Sequence, residues 1–151
     1  MDDVRRWMTS PAIVAPETTT LPEARQLLKQ RRIRRVPVVD AAGRLVGIIT
    51  AGDINRVSDS HVSEVRDYNL YHRVADLPIK EIMTRNVVAV TPDTPILDVA
   101  RLLLTNRIGG IPVVEGDRIV GVITESDLFR LIVVRETESA SRAVELKIAR
   151  A

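Results

Sequence analysis

The chain has 151 residues, of which 45% are apolar and 28% charged, so it can bury the core of one compact unit or two very small ones. It contains no cysteine, which excludes disulfides, thiolate metal sites and cysteine nucleophiles. The formal net charge of +2 is too small to indicate a nucleic-acid partner by itself. No apolar run approaches the roughly 20 residues of a membrane-spanning helix, and we predict a cytoplasmic protein.

The sequence repeats itself at an offset of 74 to 76 residues, with its landmarks in the same order. The matching pairs are Met8-Thr9 with Met83-Thr84, Leu21 and Ala24 with Leu97 and Ala100, Val36–Asp40 with Ile111–Glu115, and Thr50 with Thr124. Since a unit of roughly 50 residues is marginally stable alone, we expect the two repeats to pack into one shared core.

The first repeat is predicted as strand, helix, strand, strand and helix. Its strands are expected over Ala12–Ala15 (ended by Pro16), Arg35–Val39 and Arg44–Thr50. Thr20–Glu23 is a capping box, which predicts a helix with an inward face of Leu21, Ala24, Leu27 and Leu28. Gly43 ends the turn between the last two strands, and the second helix begins after Thr50.

The second repeat is predicted to have the same order of elements. Its strands are expected over Val87–Val90, Ile111–Val114 and Arg118–Thr124, with a hairpin turn at Gly116-Asp117. Thr94 is expected to cap a helix that has Pro95 at its first position. The inward residues are expected to be Leu97, Ala100, Leu103 and Leu104 on this helix, and Leu128, Leu131 and Ile132 on the closing helix.

Two segments lie outside the repeats. The predicted boundaries are residues 3–57 for the first repeat, 58–76 for a linker, 77–135 for the second repeat and 136–151 for a tail. The linker is expected to extend the preceding helix and then form a loop. Its His61 and His72 have no carboxylate or cysteine at ligand spacing, so we expect no metal site. The tail has a thin apolar stripe, which fits either a helix that needs a partner or a frayed terminus.

The same corner closes both repeats, as Gly47–Ile54 and Gly121–Leu128. Each copy runs from a β-branched strand into Thr-x-x-Asp, a sequence that opens a helix. Unpaired backbone N–H groups then lie beside a hydroxyl and a carboxylate, an arrangement that suits an anion or a sugar hydroxyl. The alternative interpretation is a capping box that needs no ligand.

Together these landmarks resemble a cystathionine-β-synthase (CBS) domain pair over residues 3 to about 135. Each repeat has Met-Thr before its first strand, a hydrophobic-Pro-Val-Val strand and a Gly-x-x-Thr-x-x-Asp corner. The resemblance implies an α+β fold of two tandem β-α-β-β-α repeats packed about a pseudo-twofold axis. It also implies clefts for adenosine nucleotides (AMP, ADP or ATP) or a related adenosyl ligand, in a module that senses, does not catalyse and requires no cofactor. Because nothing else is attached, the chain resembles a stand-alone regulatory subunit that would act on a separate protein.

The resemblance assigns binding residues wherever the positions match. Asp53 and Asp127 are expected to bind ribose hydroxyls, and Thr50 and Thr124 to meet ribose or phosphate. The adenine slots are expected from Ile13 and Val14 or from Val87 and Val88, closed by Ile48 and Val122. Each cleft is expected to draw its corner from one repeat and its slot largely from the other.

The resemblance also places phosphate-binding residues directly before the Val-Pro or Ile-Pro dipeptide. Arg34 and Arg35 occupy this place in the first repeat, and Gly109 and Gly110 occupy it in the second. We therefore expect the cleft served by the arginines to favour phosphorylated ligands and the other to rely on adenine and ribose. The alternatives are a solvated arginine face at a helix C-terminus and a glycine pair that lets two backbones approach.

Three other functions compete with a sensor. An enzyme is disfavoured because no nucleophile–base pair is identifiable. A nucleic-acid binder is disfavoured because aromatic residues make up only 3% of the chain and form no stacking platform. The third alternative is a module with empty clefts that only dimerises. A homodimer is expected through apolar residues of the closing helices, which are Ile54, Val57, Leu128, Leu131 and Ile132.

Overall fold

The computed structural model describes residues 2–64 and 76–149 and has the predicted α+β fold. In chain order its elements are α1 (Val4–Trp7), β1 (Ala15–Pro16), α2 (Leu21–Arg31), β2 (Arg35–Val39), β3 (Leu45–Thr50), α3 (Ala51–Glu64), a 3-10 turn (Ile79–Glu81), α4 (Ile96–Asn106), β4 (Gly110–Glu115), β5 (Arg118–Thr124) and α5 (Glu125–Ala149). The loop predicted after α3 and the side chains of both histidines lie outside the described residues.

Two small sheets follow one pattern. In the first, β1 runs parallel to β2, and β2 pairs antiparallel with β3. In the second, β4 and β5 form an antiparallel hairpin, and Val90 adds a parallel bridge to Val113. This bridge is the equivalent of Ala15 against Val38 in the first sheet, so both repeats place their first extended segment against the same strand.

The strands predicted over Ala12–Ala15 and Val87–Val90 were wrong in extent. The first is a two-residue strand that includes Pro16, and the second is a single bridge at Val90. If either parallel pairing continued toward the N-terminus, the next residue would lie opposite Pro37 in the first sheet or Pro112 in the second. Proline has no backbone N–H to donate, so the pairing stops there. The segments before the pairing therefore remain outside the two sheets.

The repeats exchange the segments that carry their Met-Thr dipeptides. Thr9 exchanges backbone hydrogen bonds of 2.9 and 3.0 Å with Val122 of the second sheet, and Thr84 does the same with Ile48 of the first. Val4 of α1 is buried in the second core, beside β4 and β5, whereas Met83 is buried in the first. The prediction of one shared core was wrong, because the described residues form two cores, each completed by a segment from the other repeat.

The pseudo-twofold axis passes between two equivalent arginines. Arg44, directly before β3, and Arg118, the first residue of β5, occupy matching positions in the two repeats and form an antiparallel bridge with each other. Beside them, the backbone N–H of Leu45 donates to the carbonyl of Asp117 at 3.2 Å. A residue that pairs with its own equivalent must lie at the symmetry axis, which confirms the predicted arrangement of the repeats.

The buried face of α4 differs from the prediction. Val99 and Leu103 are buried, whereas Leu97 and Leu104 are 56% and 80% exposed. The first residues of α2 and α4 are 75 positions apart, so the two helices correspond at an offset of 75 residues. The sequence match used an offset of 76, which moved the expected buried face of α4 by one residue. The exposed leucines form part of an apolar surface, although both were predicted to lie in the core.

The start of α4 also lies one residue later than predicted. The residue before the helix is Pro95, which has an extended ψ of 139°, and the helix begins at Ile96. The hydroxyl of Thr94 accepts a hydrogen bond of 3.1 Å from the backbone N–H of Thr91 instead of capping the helix. Thr94 therefore shapes the preceding turn.

Other local predictions are confirmed. Thr20 and Glu23 form the reciprocal capping box of α2. Gly43 and Gly116 have φ values of 80° and 62°, which glycine adopts without strain in the two hairpin turns. On the closing helix Leu131 is buried as predicted, but Ile132 is 53% exposed.

The helix α5 is 25 residues long and continues through most of the tail. Between the two interpretations of the tail, the helical one is confirmed as far as Ala149. Over the described part of the chain, no helix combines the length and hydropathy needed to cross a membrane.

Candidate functional site

The first corner is a closed capping box. The backbone N–H of Thr50 donates to Asp53 Oδ2 at 2.8 Å, and the N–H of Asp53 donates back to Thr50 Oγ1 at 3.1 Å. The other carboxylate oxygen of Asp53 accepts from the guanidinium of Arg56. The capping interpretation is thus correct for the geometry, and any ligand hydroxyl at Oδ1 has to share it with an exposed arginine.

The second corner has the same residues but a different hydrogen-bond pattern. Asp127 Oδ2 accepts from both the N–H and the hydroxyl of Thr124, at 2.8 and 2.9 Å. Arg130 donates to Oδ1 at 3.2 Å, and Asp127 itself is buried, with 3% of its surface exposed. The hydroxyl of Thr124 therefore already donates its proton to Asp127. The hydroxyl of Thr50 acts as an acceptor, so its proton is available to a further acceptor.

A cleft of about 710 Å³ lies over the first corner, and we call it the first cleft. Its walls join Thr50 and Asp53 of the first repeat to Val87 and Val88 of the second. The remaining predicted residues in its lining are Ile48, Arg34, Arg35, Gly109 and Gly110. The prediction that a corner from one repeat meets an apolar segment from the other describes this geometry.

A second cleft, of about 460 Å³, lies over the other corner. Thr124 and Asp127 face Ile13 there, and Val122 lies beside them. Arg34, Arg35 and Gly109 line this cleft as well as the first. Of the residues predicted for the two clefts, Val14 is the one that the structure places in neither lining.

Arg35 lies between the two clefts. Its guanidinium donates to the carbonyl of Gly109 at 2.6 Å and covers Gly110, where any side chain would collide with it. Burial lowers the pKa of the Arg35 guanidinium, while the carboxylate of Glu125 acts in the opposite direction. The glycine pair therefore makes room for an arginine side chain, not for a second backbone.

This position overturns one prediction about the site. Arg34 and Arg35 were expected to serve one cleft and leave the other to rely on adenine and ribose, but both arginines line both clefts. The reason is the pseudo-twofold axis, which brings Arg35 against Gly109 and Gly110, the equivalent positions of the second repeat. The arginine–glycine difference cannot by itself distinguish the clefts.

Sequence reasoning missed four arginines that line the clefts, which are Arg56 and Arg107 in the first and Arg32 and Arg130 in the second. They occur at the repeat offset, so the internal match could have found them. Arg32 and Arg107 each follow a helix with a φ of 53°, in the left-handed region that a non-glycine residue seldom occupies. Such conformations concentrate at functional sites.

A third concave surface is apolar and lies between α4 and α5. This apolar groove has a volume of about 540 Å³, and its exposed apolar residues are Leu97, Leu104, Phe129 and Ile132. The interface residues predicted on α3 are not part of it, because Ile54 is buried in the first core and Val57 packs against that core. On α5, Leu131 lines the groove but is itself buried.

Comparison with known proteins identifies the family. Residues 3–60 and 79–134 match the CBS domain. A CBS domain-containing protein of Dictyostelium discoideum is 30% identical over 86% of this chain and 90% of its own length. An A-adding tRNA nucleotidyltransferase of Geobacter sulfurreducens is 32% identical over 92% of this chain, which spans only 14% of that enzyme.

A solved structure agrees with the sequence matches. It is a CBS domain pair in complex with 5-methylthioadenosine and S-adenosyl-L-methionine, with 33% identity and a TM-score of 0.75. The match covers 89% of this chain and 98% of the solved one. The exchanged segments, the two Thr-x-x-Asp corners and these matches lead to one conclusion: the chain belongs to the CBS domain family and carries a pair of CBS repeats.

Proposed function

We propose that this CBS pair binds adenosyl ligands in its two clefts and passes their occupancy to a separate protein. The observation that carries the proposal is that each cleft joins the Thr-x-x-Asp corner of one repeat to the extended apolar segment of the other. A ligand that fills such a cleft contacts both repeats at once.

The side chains in each cleft match the three parts of an adenosine nucleotide. Val87 and Val88 give the first cleft an apolar wall for adenine, and Ile13 does so in the second. Asp53 and Asp127 offer carboxylate oxygens to ribose hydroxyls, and the arginines offer paired donors to phosphate. Both cleft volumes lie within or close to the range of small-molecule sites, roughly 300–1,000 Å³.

Regulation follows from where the ligand lies. Because each cleft is built from both repeats, a ligand stabilises the arrangement of the repeats that fits it best. The carboxylates of the corners act as helix caps and as hydrogen-bond acceptors, which suits recognition better than proton transfer. We therefore propose a sensor and not an enzyme, and the predicted cytoplasmic location stays a prediction.

The complex of the solved CBS pair with two adenosyl compounds supports this ligand class at 33% identity. The candidate ligands for this chain are AMP, ADP, ATP, NAD and S-adenosylmethionine, which share the adenosyl group.

A thermal-shift screen tests the proposal. The ligands are adenosine, AMP, ATP, NAD and S-adenosylmethionine, and guanosine and GMP are the controls. A ligand at about 100 times its dissociation constant stabilises the folded state by roughly 2.7 kcal/mol, which is easily resolved. If no adenosyl compound raises the melting temperature more than its guanosine counterpart does, the proposed function is wrong.

We further propose that a second copy of the chain covers the apolar groove between α4 and α5. Four large apolar side chains, each more than half exposed, adjoin one another there. Exposed apolar patches of this kind commonly mark interfaces, and a twofold pairing would bury the same surface on both copies.

A further inference from the structure

The two corners differ at the first residue after the threonine. Ala51 follows Thr50, and Glu125 follows Thr124. The backbones are equivalent, since the N–H of Ala51 donates to the carbonyl of Arg34 at 2.9 Å and the N–H of Glu125 donates to that of Gly109 at 3.2 Å. A methyl group and a carboxylate therefore occupy the same place in the two halves of the molecule.

The carboxylate of Glu125 lies beside the shared arginine. A Cβ atom added to Gly109 would stand 3.4 Å from Glu125 Oε2 and would collide with the Arg35 guanidinium. Glu125 lines the second cleft and, on its other side, the apolar groove between α4 and α5. The negative charge at this point thus faces Arg35 from the side of the second cleft.

The charge balance of the clefts differs for this reason. Among the described residues that line the first cleft, Asp53 is the one carboxylate, and it accepts from Thr50 and Arg56. The second cleft has the same number of arginines in its lining but two carboxylates, Asp127 and Glu125. Glu125 therefore adds a negative charge beside Arg35 that opposes an anion in the second cleft.

We infer that Glu125 sets the ligand choice of the two clefts. The first cleft takes the phosphate of an adenosine nucleotide, and the second takes an adenosyl ligand whose 5′ substituent is uncharged or cationic. This inference rests on the proposed function and deepens it. A phosphate in the first cleft draws on Arg34 and Arg35 without opposition from a carboxylate at the position of Ala51.

Two reciprocal substitutions test the inference by two-site calorimetry, with AMP and adenosine as the probes. Glu125→Ala gives the second cleft the residue of the first, and Ala51→Glu does the reverse. Glu138→Ala is the matched control, because it removes an exposed carboxylate from α5 outside both clefts. Adenosine carries no phosphate and reports any general effect of the substitutions on the site.

In the wild type, AMP should bind one cleft clearly more tightly than the other, and adenosine should show a smaller difference. Removing one carboxylate from a partly solvated site changes the affinity for an anion by about three- to tenfold. Glu125→Ala should therefore strengthen the weaker AMP site by that factor, and Ala51→Glu should weaken the stronger one. Adenosine binding should change less than twofold.

The inference is overturned if the AMP-to-adenosine ratio at both sites is the same in Glu125→Ala as in Glu138→Ala. Binding of adenosine and AMP with no effect of either reciprocal substitution would remove this inference and leave the proposed function standing. If neither compound binds the wild type, this inference is overturned, and the thermal-shift screen with the other adenosyl compounds decides separately whether the proposed function stands.

Discussion

Met8 packs directly over Gly121, although the two residues belong to different repeats. A Cβ atom on Gly121 would lie 2.8 Å from Met8 Sδ and 2.8 Å from the carbonyl oxygen of Thr9. That carbonyl accepts the backbone hydrogen bond of Val122, so it cannot move away without breaking the link between the repeats. The glycine before each Thr-x-x-Asp corner is thus required by the exchanged segment.

Gly121→Ala should destabilise the protein by about 1–3 kcal/mol, which is the usual effect of forcing a methyl group into a packed site. Gly52→Ala is the matched control, because its added Cβ would meet only Thr50 Oγ1 at 3.6 Å within the first turn of α3. That substitution should be neutral or stabilise by up to about 1 kcal/mol, since alanine favours a helix. Chemical denaturation measures both, and equal effects would contradict the close-approach argument.

The carboxylates of both corners accept a hydrogen bond from the threonine N–H, which leads to a prediction about Asp53 and Asp127. Asparagine at either position keeps an acceptor for the threonine N–H but removes the charge, so each variant should fold with a stability loss of up to about 3 kcal/mol, larger at the buried Asp127, where the bond from Arg130 is also lost. Affinity for adenosine should fall roughly tenfold at the altered cleft, because a charge-assisted hydrogen bond to ribose is lost.

Calorimetry with 2′,3′-dideoxyadenosine provides the control for Asp53→Asn and Asp127→Asn. This compound lacks the hydroxyls that the carboxylates are proposed to bind, so its affinity should be the same in the wild type and the variants. If adenosine also binds the variants with unchanged affinity, the two aspartates are helix caps only.

Arg107 combines a strained backbone with a place in the first cleft. Arg107→Gly should raise the free energy of unfolding by up to about 1 kcal/mol, because glycine adopts a positive φ without steric cost. The same substitution should weaken AMP relative to adenosine, since a cation is lost from the cleft. Arg32→Gly, at the equivalent position, should give the same stabilisation and leave the tighter AMP site unchanged. A loss of stability in both variants would contradict the strain argument.

The sequence predicted the repeats, the corners and most cleft residues because these features are local or recur at a fixed offset. It could not predict that Arg35 would lie against Gly109 and Gly110, because that contact depends on how the pseudo-twofold axis brings the repeats together. The exposed position of Leu97 was missed for a different reason. A shift of one residue in the repeat alignment turns a helix face by about 100°, and composition does not reveal the shift.

The exposed leucine Leu104 and the exposed phenylalanine Phe129 give the proposed homodimer its test. Their side chains are 80% and 64% exposed in one copy, so the double substitution Leu104→Glu with Phe129→Glu should cost the monomer little stability. In a dimer that buries the apolar groove, the same change places two unpaired charges per copy in an apolar contact and should abolish association. Thr105→Glu is the matched control, because it adds a charge on α4 at an exposed residue outside the groove lining. Sedimentation at tens of micromolar should give a dimer for the wild type and Thr105→Glu and a monomer for the double variant. A wild type that sediments as a monomer, or a double variant that remains dimeric, would show that a second copy does not cover this groove.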